Sequence, residues 1–174
     1  MRILLVIAPL LLVATPAFAF DLKSPAFGEN ASIPRTYSCD GPDRSPPLRW
    51  SNPPAGAKSY ALVVEDPDAL SGTWVHWVLY RIPAGTQQLP EGVPGRDTVA
   101  GAGTQGVNDF KKVGWGGPCP PPGSAHRYVF TLYALDSELT LPPGTSRSDL
   151  RAAMDGHVLG QAELTGRFQN RRSR

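Results

Sequence analysis

The sequence predicts a mainly β protein with peripheral α structure, and three observations lead to that prediction. Its 19 prolines and 18 glycines fall in turn-like clusters between patterned segments and form no low-complexity tract. The segments between the clusters are short and rich in β-branched and aromatic residues, as strands are. Only one segment has the pattern of an amphipathic helix. At 174 residues the chain suits one domain with a hydrophobic core.

The chain begins with a segment that has the features of a secretory signal peptide. Residues 1–19 contain one arginine, a short apolar run and a small-x-small cleavage site at Ala17-Phe18-Ala19. The apolar run is shorter than the roughly 20 residues that cross a bilayer. We therefore expect cleavage before Phe20, a single mature domain over residues 20–174, no integral membrane segment, and a periplasmic or secreted location.

The charge balance argues against a nucleic-acid-binding protein. The chain carries 17 Lys plus Arg and 15 Asp plus Glu, and loss of the leader removes only Arg2, so the net charge falls from +2 to +1. Nucleic-acid-binding domains instead carry a basic stripe. The one basic cluster, which we interpret as a solvated chain end, comprises Arg167, Arg171, Arg172 and Arg174.

Four segments are predicted to form strands. Each lies next to clusters of proline, glycine and asparagine that indicate turns, such as Ser51–Gly56 and Pro90–Gly95. In chain order the predicted strands are Pro47–Trp50, Ser59–Glu65, Thr73–Ile82 and Arg127–Leu135.

One helix is predicted after these strands. Ser146 and Asp149 resemble a capping box ahead of a face formed by Leu150, Ala153 and Met154, and Gly156 should end the helix. A second short turn over His157–Gln161 is expected to follow. The last segment, Ala162–Phe168, fits either a helix or a closing strand, and we favour the strand.

Acidic residues follow the second predicted strand directly. Asp66-Pro67-Asp68 comes where Ser59–Glu65 ends, so its carboxylates point into the space beyond the sheet. Pro67 fixes the backbone between them and makes the turn stiff. A solvated acidic turn is the alternative interpretation.

Two of the three histidines fall in predicted strands. Alternation places Trp74, His76, Val78 and Tyr80 on one face of their strand, and His126, Tyr128, Phe130 and Leu132 on one face of theirs. Either histidine alone is compatible with a hydrogen-bonded core residue. Two of them in similar positions near special turns favour a functional site.

Three chemistries are open if Asp66, His76, His126 and Tyr128 meet at one end of the sheet. Two histidines and a carboxylate can bind a transition metal. A His–Asp pair can activate a hydroxyl nucleophile, but the chain has no Gly-x-Ser-x-Gly motif. Imidazole and phenol donors beside a glycine-rich loop can bind phosphate. The stiff Gly114–Gly123 loop favours a binding pocket over a mobile catalytic lid.

The two cysteines, Cys39 and Cys119, are expected to form a disulfide. In an exported protein of this size such a pair is more often a disulfide than a metal site. The loop between them has about 80 residues, so the bond would stabilise the fold by roughly 4 kcal/mol. Two buried free thiols are the alternative.

A series of short motifs runs along the chain in the order Cys39-Asp40-Gly41, Ser45–Trp50, Asp66-Pro67-Asp68-Ala69, Gly72–Trp77, Asn108-Asp109-Phe110, Gly116–Pro121 and His126-Arg127-Tyr128. With these motifs the sequence resembles the phosphatidylethanolamine-binding protein family, in particular its bacterial Raf-kinase-inhibitor-like branch. The resemblance covers about residues 20–170. It implies two antiparallel β-sheets with a few short helices and a small anion-binding pocket at one end.

The resemblance also implies which residues form the pocket. Asp66, His76, His126 and Tyr128 would line it, with Asp68 and Pro118 beside it. Family members bind phosphate-type groups, including the phosphoethanolamine headgroup, and some eukaryotic members inhibit kinases or serine proteases. Leu70 stands where a proline usually follows Asp-Ala, so the pocket rim should differ here.

Taken together, the residues and the resemblance predict an exported, non-catalytic protein that binds a small anionic ligand or a phospholipid headgroup, without cofactor or metal. Two alternatives stay open. One is an inhibitor of a secreted protease or a regulator of an envelope partner protein, for which the pocket is incidental. The other is a metal-dependent hydrolase.

Overall fold

A computed structural model describes residues 19–170 and confirms the mainly β class. It contains one α-helix and one short 3-10 helix, at Arg35–Tyr37. Residues 1–18 of the predicted signal peptide and Arg171, Arg172 and Arg174 of the basic cluster lie outside the described residues.

The strands form two antiparallel sheets, as the resemblance implied. The smaller sheet has the order β1 (Asp21–Lys23), β2 (Leu48–Ser51) and β5 (Gln88–Leu89). The larger sheet has the order β6 (Thr98–Val99), β7 (Gly103–Gln105), β4 (Trp74–Pro83), β3 (Ser59–Asp66), β8 (His126–Leu135) and β9 (Val158–Phe168). All four strands predicted from clear patterns are present, with bounds that differ by one residue.

Helix α1, Arg147–Met154, begins as its sequence predicts. The Ser146 hydroxyl oxygen accepts a hydrogen bond from the Asp149 backbone N–H at 3.2 Å. This bond satisfies one of the amide donors that the first turn of a helix leaves unpaired. Leu150 and Met154 are buried, so the predicted face of the helix packs against the protein.

The prediction of a short turn over His157–Gln161 is wrong, because strand β9 begins at Val158. Val158 pairs with Leu135 of β8 and Gly160 pairs with Ala134. Val158 and Leu159 are apolar residues next to each other in the sequence, and both are exposed. This part of the strand therefore lacks the alternation of apolar and polar residues by which a strand is predicted. The backbone partners on β8 make it a strand despite its local pattern.

The core lies on both sides of the larger sheet. A large cluster between the sheets includes Trp50 and Leu89 from the smaller sheet and Leu62 and Phe130 from the larger one. A smaller cluster on the opposite face of the larger sheet is covered by α1. Strand β3 is therefore buried on both faces, which fixes the position of the residues that follow it.

Candidate functional site

The ends of three neighbouring strands form the candidate site. β3 lies between β4 and β8, and both neighbours are antiparallel to it, so the end of β3 meets the starts of β4 and β8. This arrangement brings together Asp66, His76, His126 and Tyr128, which all line one cavity of ≈ 280 Å³. The other residues that line it are Ala69, Leu70, Ser71, Trp74, Phe110, Cys119, Pro120 and Pro121.

His76 reaches this cavity through an irregularity in β4 that simple alternation did not predict. Val64 of β3 pairs with Trp77, but Glu65 pairs with Val75, so His76 has no residue opposite it. The extra residue shifts the phase of the strand, as a β-bulge does. Val75 packs in the cluster on the helix side, whereas the His76 ring contacts Tyr128 from the cluster between the sheets. The prediction that His76 shares a face with Val78 and Tyr80 is therefore wrong.

Both carboxylate oxygens of Asp66 already have partners. Oδ2 lies 2.8 Å from Nδ1 of His126, and Oδ1 accepts the backbone N–H of Asp68 at 2.8 Å. Asp66 is only 4% exposed, so burial would be costly without these bonds. A carboxylate accepts, so Nδ1 of His126 carries the proton and its Nε2 is left for another partner.

The His76 ring is held as a neutral acceptor. Its Nδ1 lies 2.6 Å from the Gly116 carbonyl oxygen, which can only accept, so Nδ1 donates and Nε2 has the free lone pair. The rings of Phe110 and Tyr128 pack edge-on against it, with centroids 5.3 and 5.0 Å away. Burial lowers the pKa of His76 below its ordinary value, and the Gly116 bond and nearby aspartates oppose that effect only in part.

The Tyr128 hydroxyl is buried and makes no hydrogen bond of regular geometry within residues 19–170, although the Asp66 carboxylate lies close enough to attract its proton. Burial, and then the negative charge of Asp66 and its hydrogen bonding to the hydroxyl, raise the pKa of this phenol well above its ordinary value. Tyr128 therefore keeps its proton at neutral pH and can donate it to a better-placed acceptor. The indole N–H of Trp74, another residue that lines the cavity, is unpaired within the described part of the chain.

Asp68 and Pro118 do not themselves line the cavity, but each is close in sequence to a residue that does, Asp66 and Cys119. The Asp68 carboxylate is bound by Arg127, whose Nη2 lies 2.6 Å from Oδ1 and whose backbone N–H donates to Oδ2 at 2.9 Å. These hydrogen bonds, which outweigh the effect of burial, lower the pKa of Asp68 to about 2. The Pro118 carbonyl accepts a hydrogen bond from the Cys39 N–H at 3.1 Å. The next three residues, Cys119 to Pro121, line the cavity.

Other residues pack closely on Gly116 and Gly117, so the Gly114–Gly123 loop forms a stiff wall of the cavity. A Cβ at Gly116 would lie 2.6 Å from the Phe110 ring, and one at Gly117 would lie 2.2 Å from an Asp43 oxygen. The Gly117 N–H donates to that oxygen at 2.8 Å. The predicted disulfide between Cys39 and Cys119 is present, with an S–S distance of 2.08 Å, and ties the wall to the Cys39 segment.

Comparison with known proteins identifies the family of this fold and site. The family model described as phosphatidylethanolamine-binding protein matches residues 23–169, which is most of the chain. The chain belongs to the phosphatidylethanolamine-binding protein family. This confirms the resemblance seen in the sequence motifs.

Three members or relatives of the phosphatidylethanolamine-binding protein family illustrate the match. The UPF0098 protein of Methanothermobacter thermautotrophicus is 48% identical over 149 residues, covering 86% of this chain and 98% of that protein. A Mycobacterium tuberculosis protein that carries the name lipoprotein LppC is 43% identical over 159 residues, covering 89% of this chain and 76% of its own. The crystal structure of CT736 from Chlamydia trachomatis, named as a homolog of the family, has a TM-score of 0.78 at 39% identity and covers 87% and 98% of the two chains.

The described part of this family member contains neither a membrane-spanning helix nor a cluster of metal-ligating side chains. Among residues 19–170 no helix has the length and apolar composition needed to cross a bilayer. Within that same described range, no three side chains of His, Cys, Asp or Glu are grouped so that they could share a metal ion.

Sequence reasoning missed several residues that line the cavity of this family member. Phe110 packs against Trp74 and His76, with ring centroids 5.4 and 5.3 Å away. Its signal was present in the family motif Asn108-Asp109-Phe110, which was not assigned to the pocket. Leu70 lines the cavity although its side chain is 91% exposed, as expected if the rim differs at this position.

Proposed function

We propose that this protein is an exported or envelope-associated, non-catalytic binding protein that takes the phosphate-type group of a small ligand into the cavity formed by Asp66, His76, His126 and Tyr128. A phosphoethanolamine-type group fits the charges of the cavity better than phosphate alone. The Asp66 carboxylate would repel a lone anion, whereas an amine next to the phosphate would be attracted to it.

The buried hydroxyl of Tyr128, which makes no hydrogen bond of regular geometry within residues 19–170, carries the proposal. A buried donor without an acceptor costs about 1–3 kcal/mol, and a ligand oxygen would recover that cost. A phosphate oxygen is a strong acceptor. Because the pKa of Tyr128 is raised, the phenol keeps the proton that such an oxygen requires.

Protonation of His76 would complete the anion site. In the neutral ring Nε2 is an acceptor, so it cannot donate to an anion. A bound phosphate would favour the protonated ring and raise the pKa of His76 from its lowered value. Ligand binding should therefore be coupled to proton uptake at this residue.

Two observations support an exported or envelope location. The Cys39–Cys119 disulfide is of the kind that persists in oxidising compartments. The Mycobacterium tuberculosis relative carries the name of a lipoprotein. The leader-like residues 1–19 agree with this location.

The test is a titration with inorganic phosphate and with phosphoethanolamine, followed by NMR of the histidine ring protons. We expect saturable shifts of His76 and His126 and tighter binding of phosphoethanolamine. His157 is the internal control, because it is exposed and pairs with Asp136 at 2.8 Å. No shift of His76 or His126 at millimolar ligand, or an equal shift of His157, would contradict the proposal.

The variant Tyr128→Phe separates the role of the hydroxyl from that of the ring. We expect about tenfold weaker binding of phosphoethanolamine, since about 1.4 kcal/mol of one hydrogen bond is lost. The free energy of unfolding of the empty protein should change little or rise, because the removed hydroxyl made no hydrogen bond of regular geometry. A clear loss of stability would instead mean that the hydroxyl is paired in the empty protein.

A further inference from the structure

A second cavity, of ≈ 410 Å³, lies at the end of strand β9 and takes no part in the proposed function. Its lining includes the buried apolar residues Ile33 and Phe168 and the exposed side chains of Arg35 and Arg167. Ala125 also lines it, while the next residue, His126, lines the first cavity. The two cavities are therefore close neighbours with separate linings.

The two arginines of this second cavity have no carboxylate partner among residues 19–170. Four of the seven other arginines in that range, Arg44, Arg127, Arg147 and Arg151, each form an ion pair with Asp or Glu. Arg35 instead donates from Nη2 to the backbone carbonyl of Asp40 at 3.2 Å. That bond uses one N–H of the guanidinium, which forms no ion pair within residues 19–170.

The backbone around both arginines is fixed. The Arg167 carbonyl accepts the Ile33 N–H at 2.7 Å, and the Arg167 N–H donates to the Ala31 carbonyl at 2.8 Å. Gly41 packs so closely on Arg35 that a Cβ there would lie 2.2 Å from the Arg35 carbonyl oxygen. The backbone positions of both residues are therefore fixed, and two guanidinium groups that line one cavity suit the binding of an oxyanion.

The charge around the second cavity favours an anion. Asp40 also lines it, so the ionised side chains there are two arginines and one aspartate. The net charge of the side chains that line this cavity is therefore positive.

We propose that the second cavity is an anion-binding site that takes a phosphate or carboxylate group carried on an apolar body. Arg35 and Arg167 bind the oxyanion by charge-assisted hydrogen bonds, and Ile33 and Phe168 contact the apolar body. This site is independent of the cavity around Asp66 and Tyr128. Its occupant combines a negative charge with an aromatic or alkyl group.

The test is an NMR titration with phenyl phosphate and inorganic phosphate, in which the backbone amides of Ile33 and Phe168 report on the second cavity. We expect saturable shifts of these amides and at least fivefold tighter binding of phenyl phosphate. The double variant Arg35→Gln/Arg167→Gln should abolish the shifts. Arg49→Gln is the matched control, because Arg49 is exposed and has no ion pair within residues 19–170.

His126→Ala makes the two sites distinguishable. It should weaken the shifts at His76 and leave the shift at Ile33 unchanged; Phe168 is not used as a reporter in this variant, because it pairs with His126 between β8 and β9. If the Ile33 and Phe168 shifts survive in the double arginine variant, or vanish in Arg49→Gln, the second site is refuted. Equal dissociation constants for the two phosphates would refute the contact with an apolar body. Absence of shifts at His76 and His126 would refute only the function proposed for the first cavity.

Discussion

Single residues decide the ligand chemistry of the first cavity, because most of its polar atoms are already bonded within the protein. Asp66 uses both oxygens, His126 uses Nδ1 on Asp66, and His76 uses Nδ1 on Gly116. The polar atoms left for a ligand include the Nε2 atoms of both histidines, the Tyr128 hydroxyl and the Trp74 indole N–H. These atoms match a ligand that offers acceptor oxygens and can bring a proton with it.

At the residue scale, burial of His76 predicts that stability depends on pH. The ordinary pKa of 6.5 applies to the unfolded chain, and folded His76 has a lowered pKa. The unfolded chain therefore takes up a proton first as the pH falls, so the free energy of unfolding decreases below about pH 6.5. In His76→Gln this decrease should be smaller, as measured by urea unfolding between about pH 7.5 and 5.5.

His157→Gln is the control for that measurement. His157 is exposed and pairs with Asp136 at the surface, so its removal should leave the effect of His76 intact. The same pH dependence in His76→Gln as in the unmodified protein would show that His76 titrates alike in the folded and unfolded states.

At the element scale, strand β4 and helix α1 both contribute to the position of the site. β4 directs His76 toward one face of the larger sheet, whereas α1 packs on the other face. The bulge at His76 turns its ring toward Tyr128, while Val75 keeps its place under the helix side. Helix α1 is tied to β3 by Arg147 and Arg151, which both pair with Glu65 next to Asp66. The helix thus stabilises the end of β3, where Asp66 of the site lies.

Removal of the helix cap should destabilise the protein modestly. Ser146→Ala deletes the acceptor of the Asp149 N–H, and loss of such a cap costs about 1 kcal/mol. Thermal or urea unfolding measures this change. Ser146→Thr keeps a hydroxyl and should lose less, so equal losses in the two variants would show that the cap is not the cause.

At the scale of the whole molecule, the disulfide joins the cavity wall to a segment 80 residues away in sequence. Cys39→Ser/Cys119→Ser should lower the free energy of unfolding by about 2–4 kcal/mol, because the unfolded chain becomes freer. It should also weaken phosphoethanolamine binding, since Cys119 lines the cavity. Urea unfolding with and without reductant measures the first effect.

The double cysteine variant provides its own control. Reductant should destabilise the unmodified protein and leave the variant unchanged. Equal unfolding free energies of the oxidised and reduced unmodified protein would contradict a stabilising role for the disulfide.

Much of the fold and part of the site could be predicted from local patterns. Apolar runs bounded by turns located the four main strands, and Ser146 with Asp149 located the helix. The strands β1, β5, β6 and β7 have two or three residues each, which is too short to show alternation. They are strands because neighbouring strands pair with them.

The site shows the same division between local and long-range information. Alternation placed His126 and Tyr128 on one face of their strand, which the structure confirms through their shared cavity. It failed for His76, because the bulge depends on how β4 pairs with β3. Pro118 was expected beside the pocket, and only the path of the loop shows that the residues after it, Cys119, Pro120 and Pro121, form the cavity wall.

The sequence by itself determined the mainly β class, the family and the residue types that the first cavity offers to a ligand. Only the tertiary structure decided how His76 is oriented, that Phe110 packs on it, and that Arg35 and Arg167 face one cavity. The physical reason is the distance along the sequence over which each effect acts. Propensity, capping and alternation act over a few residues, whereas a bulge, a cavity or a pair of distant arginines depends on which segments pack together.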